Sequence, residues 1–359
     1  MNITHVILYA IVPIIVVMLV GYIAGKRGSF TGEDSKKFNK VVLVYALPAA
    51  LFVSIVDASR EMLVRDIKLS IISLVVIMFC FMTVYFIYKW CFKKNPPGSA
   101  AVMALISGSP TIGFLGFAVL EPIFGTTPYV ALVVAIVGIV VNAVGIPVGL
   151  SLLNAAKEKE AAQLAAQQTV NTAATGGTAT AGSAVATAPA AGTAPKPVVH
   201  ESFWKPVLHA LAQPVAWAPI LAVIWVVIGI PWPKWASPSF DLIKGANASM
   251  AVFSAGVTLS SVKIVINWQA ILGSILKLVM MPALLLIVGI IFKMDPLNLK
   301  MLVVAGVLPP AFSGIIIADE RDTYVATGTS SLALSVVLFM GFCPLWIWIT
   351  EACLAHAAW

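Results

Sequence analysis

Long apolar runs recur along the whole chain, and they limit its fold more strictly than any other feature. One of them, LSIISLVVIMFCFMTVYFIY at residues 69–88, contains no charged residue. A helix needs about 20 such residues to cross roughly 30 Å of hydrocarbon, where unpaired backbone groups are not tolerated. Hydrophobic residues make up 60% of the 359 residues and charged residues only 10%. The sequence therefore predicts an all-α integral membrane protein with no separate soluble domain.

Breaks that contain charges, proline or glycine divide the apolar runs into ten candidate spanning helices. The first five lie before a polar central tract: Val6–Ala24, Phe38–Val56, Lys68–Trp90, Ser99–Leu120 and Tyr129–Leu153. The other five follow that tract: Pro206–Ile230, Phe240–Ser261, Trp268–Phe292, Leu299–Ala318 and Tyr324–Thr350. Residues 1–153 and 206–359 are thus predicted to form two five-helix membrane units.

Lysine and arginine accumulate in segments that would all lie on one side of the membrane. More than half of the 22 Lys and Arg residues fall in or beside the loops that follow the odd-numbered candidate helices. Cytoplasmic loops carry such an excess, so we expect a multi-pass protein of the cytoplasmic (inner) membrane with both termini outside and the central tract inside. Because this pattern accounts for the net charge of +7, the charge does not indicate a nucleic-acid partner.

The central tract at residues 154–205 is rich in Ala, Thr, Gly and Pro and poor in large apolar residues. Such a composition cannot bury enough apolar surface to offset the entropy of ordering, which predicts a disordered cytoplasmic linker. A short helix through AAKEKEAAQLAAQQ at residues 155–168 stays open, as does a regulatory docking role.

Proline and small residues interrupt the fourth and ninth candidate helices. The fourth reads SGSPTIGFLG around Pro110, and the ninth reads GVLPPAFSGI around Pro309 and Pro310. A proline removes one helical hydrogen bond, and backbone freed in this way must face protein or a water-filled cavity. Five helices in each half would give the halves opposite orientations, so the paired breaks predict two inverted five-helix repeats with a midplane binding site. Two ordinary proline kinks are the alternative.

Five motifs resemble those of the auxin efflux carrier family of ten-helix membrane carriers. They are FNKVVLVYALPAALFVSI, GSPTIGFLGFAVL, MAVFSAGVTL, LKLVMMPALLL and LPPAFSGIIIA, in the second, fourth, seventh, eighth and ninth candidate helices. The resemblance is closest to the bacterial branch associated with malonate and oxalate. It implies that helices 4 and 9 break, cross and hold the substrate during alternating access. Many relatives have an asparagine just before the crossing, where this chain has Ser109.

The two breaks contain residue types suited to binding an anion. A carboxylate at mid-bilayer must replace its hydration shell with hydrogen-bond donors, and half-helices that start after a break offer free N–H groups and a positive dipole end. The candidate substrate-binding residues at the breaks are Ser107, Ser109, Pro110, Thr111, Gly113, Pro309, Pro310, Ser313 and Gly314. The four hydroxyl groups would add donors, and the two glycines would let an anion approach the backbone.

Polar residues inside other candidate helices complete the prediction. Lys277, in the eighth, either compensates the charge of the substrate or exchanges partners during transport; the alternatives are snorkelling to the interface and a hydrogen bond to a neighbouring span. Asn142 in the fifth is a further candidate ligand, and Asn247 in the seventh is a weaker one. Interhelical hydrogen bonding is the alternative for both asparagines.

These features predict a secondary transporter for a small carboxylate or dicarboxylate anion such as malonate or oxalate. The alternatives are a carrier of other organic acids, either auxin-like aromatic or bile-acid-like anions, and an anion channel. The chain has no HExxH or GxSxG motif, and its cysteines and histidines form no metal-ligand pattern, so we expect neither an enzyme nor a metal or other cofactor. The expected partners are the anion and membrane lipid. The direction of transport, the coupling ion and the oligomeric state stay open, a homodimer included.

Overall fold

The structure is a computed structural model that describes residues 7–56, 67–175, 214–261, 265 and 267–356. Every regular element in these residues is helical. The first half contains α1 (Val12–Lys26), α2 (Gly32–Val41), α3 (Leu47–Val56), α4 (Ile67–Cys91), α5 (Ser99–Ser107), α6 (Ile112–Phe124), α7 (Pro128–Ile139) and α8 (Ile146–Thr175). The second half contains α9 (Pro214–Ile228), α10 (Ser237–Ser261), α11 (Trp268–Ile275), α12 (Met281–Ile291), α13 (Pro296–Val307), α14 (Phe312–Glu320) and α15 (Val325–His356). Short π-helical segments at Ile7–Ile11, Val42–Ala46, Val140–Gly145 and Leu276–Met280 lead into α1, α3, α8 and α12.

Several helices have the length and composition of membrane spans. Five are long and apolar enough to cross a membrane: Ile67–Cys91, Pro128–Leu164, Ser237–Ser261, Trp268–Ile291 and Val325–His356. Shorter apolar helices occur at Val12–Lys26, Leu115–Phe124, Trp217–Ile228 and Pro296–Val307. The prediction of an all-α membrane protein is therefore confirmed for the described residues, whereas the count of ten spans stays a prediction.

The second candidate span starts earlier than its apolar pattern predicted. The sequence predicted a start at Phe38, whereas α2 begins at Gly32. Thr31 and Asp34 form a capping box, in which the backbone N–H of Thr31 donates to the Asp34 carboxylate at 2.9 Å. A capping box satisfies backbone donors that a helix start leaves free, so it extends the helix beyond the apolar residues. The same hydrogen bonds from Thr31 lower the pKa of Asp34.

The fifth candidate span is longer than predicted. Its helix, α8, continues past Leu153 to Thr175, so residues 154–175 are helical. The sequence placed them in a disordered linker and left open only a short helix through residues 155–168. The reason is local, because alanine, glutamate, lysine and glutamine are strong helix formers even without an apolar stripe. The rest of the predicted linker, residues 176–205, lies outside the described residues.

Two groups of helices pack together, and each combines helices from both halves of the chain. The five-helix group contains α1, α2, α3, α9 and α10, with α1 lying along α10. The crossing group contains α4 to α8 and α11 to α15. The groups meet mainly where α10 packs on α6 and where α3 packs on α7.

Helices four and nine of the sequence prediction are each split in two. α5 ends at Ser107 and α6 begins at Ile112, while α13 ends at Val307 and α14 begins at Phe312. Not every proline causes such a break, because α15 continues through Pro344. Since α14 also packs on α5, the two breaks lie side by side within the crossing group.

Candidate functional site

The two helix breaks meet and hydrogen-bond to each other. Pro110 and Pro310 form an isolated antiparallel bridge. Its two bonds run from the N–H of Thr111 to the carbonyl of Pro309 at 2.9 Å and from the N–H of Ala311 to the carbonyl of Ser109 at 3.1 Å. Backbone groups that leave a helix inside a bilayer need such partners because lipid offers none. Each break therefore supplies hydrogen bonds to the other.

Each bridging proline also leaves one helix carbonyl without its usual donor. In an unbroken helix a carbonyl accepts from the N–H four residues later, and proline has no N–H. The carbonyl of Ile106, which precedes Pro110 by this interval, accepts instead from the N–H of Ala311 at 3.3 Å. The carbonyl of Gly306, which precedes Pro310 by the same interval, accepts from Nζ of Lys277. Both carbonyls are thus satisfied, one across the bridge and one by a lysine.

Lys277 lies in the interior of the crossing group. It is 0% exposed, and its Nζ also lies 3.3 Å from the sulfur of Met281. Complete burial excludes snorkelling, one of the alternatives that the sequence left open, and the observed contact is a hydrogen bond to a neighbouring helix. That contact is at the carbonyl end of α13, where the helix dipole is negative and a cationic or donor group is favourable. Lys277 therefore holds the end of α13 just before the break.

The half-helices that follow the breaks begin at the crossing. α6 begins at Ile112, and its N-cap residue Thr111 makes no side-chain capping hydrogen bond. The first N–H groups of α6 and α14, and the positive ends of their dipoles, therefore lie at the crossing. Thr111 is 2% exposed, and its hydroxyl has no hydrogen-bond partner among the described residues. Ser313, in the first turn of α14, is half-buried, and its hydroxyl also has no partner in the described part of the chain.

Two of the four predicted hydroxyl donors are already engaged with protein. Oγ of Ser109 donates to the carbonyl of Leu105 at 2.8 Å, and Oγ of Ser107 lies 3.2 Å from Oγ of Ser331. Ser274 joins the second pair by donating to the carbonyl of Ser331 at 3.0 Å. Ser274 and Ser331 were not among the predicted site residues. Ser274 is a small polar residue within an apolar run, and Ser331 ends the polar stretch TGTSS at residues 327–331. The hydroxyls of Ser107, Ser274 and Ser331 connect three helices around the crossing, whereas that of Ser109 bonds one turn back along its own chain segment.

Three further predicted residues have packing or local roles. A Cβ on Gly314 would lie 2.7 Å from the carbonyl group of Leu105, so the absence of a side chain lets α14 touch α5 and leaves no room there for an anion. A Cβ on Gly113 would lie 3.0 Å from the side chain of Leu47 in the five-helix group. The amide of Asn142 donates to a carbonyl one turn earlier in its own span at 2.9 Å.

Replacing Gly314 tests how tightly the crossing is packed. We expect Gly314→Ala to destabilise the protein by about 1–3 kcal/mol, since the new methyl group would overlap backbone that cannot move aside easily. The measurement is the thermal unfolding temperature of the purified protein in detergent. Gly341→Ala is the matched control, because a Cβ on Gly341 would have no described atom within 4 Å. Equal unfolding temperatures for the two variants would contradict the close contact.

A cavity of about 450 Å³ lies beside the crossing. One wall consists of Phe312, Ile315 and Ile316 of α14, with Val325, Ala326 and Thr329 around the start of α15. The opposite wall belongs to the five-helix group and is more polar: Gly32, Ser35, Lys36, Asn39, Thr258 and Ser261. Because Phe312 is the first residue of α14, the cavity reaches the break itself. Among the described lining residues Lys36 is the one that carries a charge, and its Nζ lies 3.5 Å from the Glu33 carboxylate.

The described residues offer no ready site for a metal. No group of three or more His, Cys, Asp or Glu side chains in the described ranges is placed to hold an ion. What the crossing presents instead is a set of hydrogen-bond donors and positive dipole ends: the N–H groups at the start of α6, the hydroxyls of Thr111 and Ser313, and the positive ends of the α6 and α14 dipoles. Such a set suits an anion or a polar group that accepts hydrogen bonds.

Long apolar helices, two of them broken and bridged to each other beside a cavity, define a multi-pass membrane protein of the transporter class. A sequence model of the family described as "Membrane transport protein" matches residues 6–347, and the chain belongs to this family. It is 44% identical over 343 residues to YfdV, an uncharacterized transporter of Escherichia coli K12, with 95% of this chain and 96% of the relative covered. It is 22% identical over 343 residues to an uncharacterized transporter of Methanothermobacter thermautotrophicus, covering 94% and 96% of the two chains. Neither name states a substrate.

Proposed function

We propose that the protein is a secondary carrier for a small carboxylate or dicarboxylate anion, such as malonate or oxalate, that binds at the crossing and moves by alternating access. The observation that carries this proposal is the bridge between Pro110 and Pro310, which brings the starts of α6 and α14 to one point. Secondary carriers use such discontinuous helices, with half-helix N-termini directed at anionic substrate groups near the bilayer midplane. The likeness to the malonate- and oxalate-associated branch of the auxin efflux carriers supports the substrate class.

The chemistry of the crossing fits a carboxylate. An anion that leaves water needs several hydrogen bonds in return, because an uncompensated charge in a low-dielectric medium is prohibitive. The N–H groups at the start of α6 and the positive end of the α14 dipole contribute to this compensation. The hydroxyls of Thr111 and Ser313, which have no hydrogen-bond partner among the described residues, add two more donors. A dicarboxylate would place one carboxylate at each half-helix. Lys277 acts indirectly in this scheme, since its amine is committed to the Gly306 carbonyl.

The proposal includes a topology. We infer ten spans arranged as two inverted five-helix repeats in residues 1–153 and 206–359, in the cytoplasmic membrane with both termini outside. The distribution of lysine and arginine supports this orientation. The cavity would then open to the cytoplasm, because it lies beside Gly32 and Ser261, next to loops on the basic side.

One feature favours a larger substrate. The wall of the cavity at Phe312, Ile315 and Ile316 is apolar, which suits an aromatic or amphipathic organic acid better than it suits malonate. A carrier of auxin-like or bile-acid-like anions is therefore the second candidate. An anion channel would also use paired half-helices, and it differs from a carrier in kinetics and not in this geometry.

Uptake into proteoliposomes distinguishes these candidates. The purified protein is tested with radiolabelled malonate, oxalate, larger aliphatic acids and aromatic acids, each with and without unlabelled acid inside. We expect a small dicarboxylate to be transported, and its uptake to be accelerated by unlabelled substrate inside the vesicles. A carrier shows this acceleration and an open pore does not. Transport of aromatic acids alone would select the second candidate. Uptake that internal substrate leaves unchanged would select the channel.

Thr111 provides a test of the binding site. We expect Thr111→Val to raise KM about tenfold, the value of one hydrogen bond of about 1.4 kcal/mol to a charged group, because valine keeps the shape and removes the hydroxyl. Thr111→Ser is the control and should keep KM close to that of the unchanged protein. KM is measured from initial uptake rates in proteoliposomes. An unchanged KM in the valine variant would remove Thr111 from the site.

A further inference from the structure

A stripe of polar and small residues runs along one face of α10. It consists of Lys244, Asn247, Ala251, Ser254 and Thr258, and we call it the α10 stripe. Residues spaced alternately three and four apart lie on the same side of a helix. With a rise of about 1.5 Å per residue, the stripe is about 20 Å long. Its Thr258 end lines the cavity, and its Lys244 end therefore lies far from the cavity.

The cavity end of the stripe is hydrogen-bonded within the five-helix group. Oγ of Ser254 donates to Oδ1 of Asn39 at 2.6 Å and lies 2.9 Å from Oγ of Ser35. The hydroxyl of Thr258 donates to the carbonyl of Ser254 at 2.9 Å. These contacts stay inside one helix group, so a movement between the two groups would leave them intact.

The opposite end of the stripe joins the two groups by an ion pair. Nζ of Lys244 lies 3.5 Å from the carboxylate of Glu121 near the end of α6, and the two side chains are only 19% and 24% exposed. The same Nζ lies 5.9 Å from the ring centre of Phe117. Water and salt screen the attraction between two partly buried charges less than the attraction between two surface charges, so this pair is a specific contact between the two groups. It connects α10 directly to the half-helix that starts at the crossing.

Asn247 lies one helical turn deeper than Lys244 and carries a buried amide. It is 1% exposed, and neither its amide nitrogen nor its amide oxygen has a hydrogen-bond partner among the described residues. A buried amide without partners is costly, and native proteins seldom keep one unless a ligand or another conformation uses it. Asn247 lies on the stripe between the ion pair and the level of the crossing. A ligand that uses this amide would therefore reach the crossing along the α10 stripe.

We propose that the Lys244–Glu121 pair closes the substrate pathway on the face opposite the cavity, and that Lys244 and Asn247 bind the carboxylate of the substrate when this closure opens. The inference rests on the proposed transport of a carboxylate. Glu121 carries the same functional group as that substrate, so it occupies Lys244 while the pathway is closed. When α6 moves relative to α10, the pair separates, and the ammonium group of Lys244 and the amide of Asn247 become donors for the incoming anion.

Thiol labelling tests the closure without relying on transport. Asn247→Cys is labelled in whole cells with a membrane-impermeant maleimide, with the parent chain and its four native cysteines as background control. We expect Glu121→Gln to speed labelling of the introduced cysteine about fivefold or more, because the closed state loses its charged contact. The matched control is Glu351→Gln, which breaks the Lys300–Glu351 pair of similar exposure inside the crossing group and should leave labelling unchanged. Ala251→Cys, one turn deeper on the stripe, serves as the second reporter position.

Uptake kinetics test the binding role of Lys244. We expect Lys244→Gln to raise KM for the transported acid about tenfold, whereas Glu121→Gln leaves KM unchanged or lower, since it frees the lysine. Lys300→Gln is the control and should not change KM. Equal effects of Lys244→Gln and Glu121→Gln on KM, together with unchanged labelling, would reduce the pair to a structural contact and overturn the inference. If no organic acid is transported by the unchanged protein, the proposed function fails instead, and the labelling still reports whether the pair closes the pathway.

Discussion

Uptake is expected to fall about 100-fold when Pro110 or Pro310 is replaced by alanine. Proline disfavours the interior of a helix by about 3 kcal/mol, and alanine is the best helix former, so the substitution makes a continuous helix available where the chain is now broken. In Pro110→Ala the new N–H competes with Ala311 for the carbonyl of Ile106, which weakens one of the contacts between the two breaks. The initial rate in proteoliposomes, corrected for inserted protein, is the measurement.

Pro344→Ala provides the control for both proline variants. Pro344 lies inside α15, which continues through it without a break, so the substitution changes a membrane-helix proline but no crossing. We expect its uptake rate to remain within about twofold of the unchanged protein. Unaltered kinetics in both Pro110→Ala and Pro310→Ala would mean that the two prolines are ordinary kinks, and the site at the crossing would have to be abandoned.

Lys277→Met is expected to lower the uptake rate about tenfold or more while the amount of inserted protein stays the same. Methionine fills the space of the lysine stem but leaves the buried carbonyl of Gly306 without a donor. The loss destabilises the conformation with the broken α13–α14 helix by about 1–3 kcal/mol. Insertion should not suffer, because the variant removes a polar group from an apolar helix. Lys68→Met is the control: Lys68 also donates to a carbonyl, that of Phe292 at 3.3 Å, but it is exposed.

The double variant Lys277→Met with Pro310→Ala shows whether the lysine acts through the missing amide. The alanine introduced in place of Pro310 would offer its own N–H to the carbonyl of Gly306, so the lysine would become nearly dispensable. We expect Lys277→Met to change uptake by less than about threefold in the Pro310→Ala background. Fully additive losses would instead indicate that Lys277 contributes by another route, such as direct compensation of the substrate's charge.

Local patterns in the sequence were enough to predict much of the fold. The apolar runs predicted helices and a membrane environment, and the prolines at 110 and 310 predicted where two of those helices break. The two largest differences in helix bounds also have local causes. The capping box at Thr31 starts α2 early, and strong helix formers after Leu153 extend α8. The capping box lies outside the apolar pattern, and a helix through residues 155–168 was an open alternative to disorder.

The roles of individual residues at the site could not be predicted in the same way. Gly314 was expected to make room for an anion, yet it lies against the backbone of Leu105. Ser109 and Thr111 are equivalent in the sequence, since each is a hydroxyl residue beside Pro110. In the structure the Ser109 hydroxyl donates to the carbonyl of Leu105, whereas that of Thr111 has no partner among the described residues. Asn247 was a weak candidate until its burial and its unpaired amide within the described ranges were visible.

The sequence by itself determined that this chain crosses a membrane as helices and that two of them break, because hydropathy and the missing N–H of proline act through neighbours in the chain. Only the tertiary structure decided that Pro110 bridges to Pro310, that Lys277 donates to the carbonyl of Gly306 and that Lys244 pairs with Glu121. These partners are far apart in sequence. The sequence shows that a carbonyl freed by proline, or a charge within an apolar helix, needs a partner. The packing of the helices determines which residue lies close enough to be that partner.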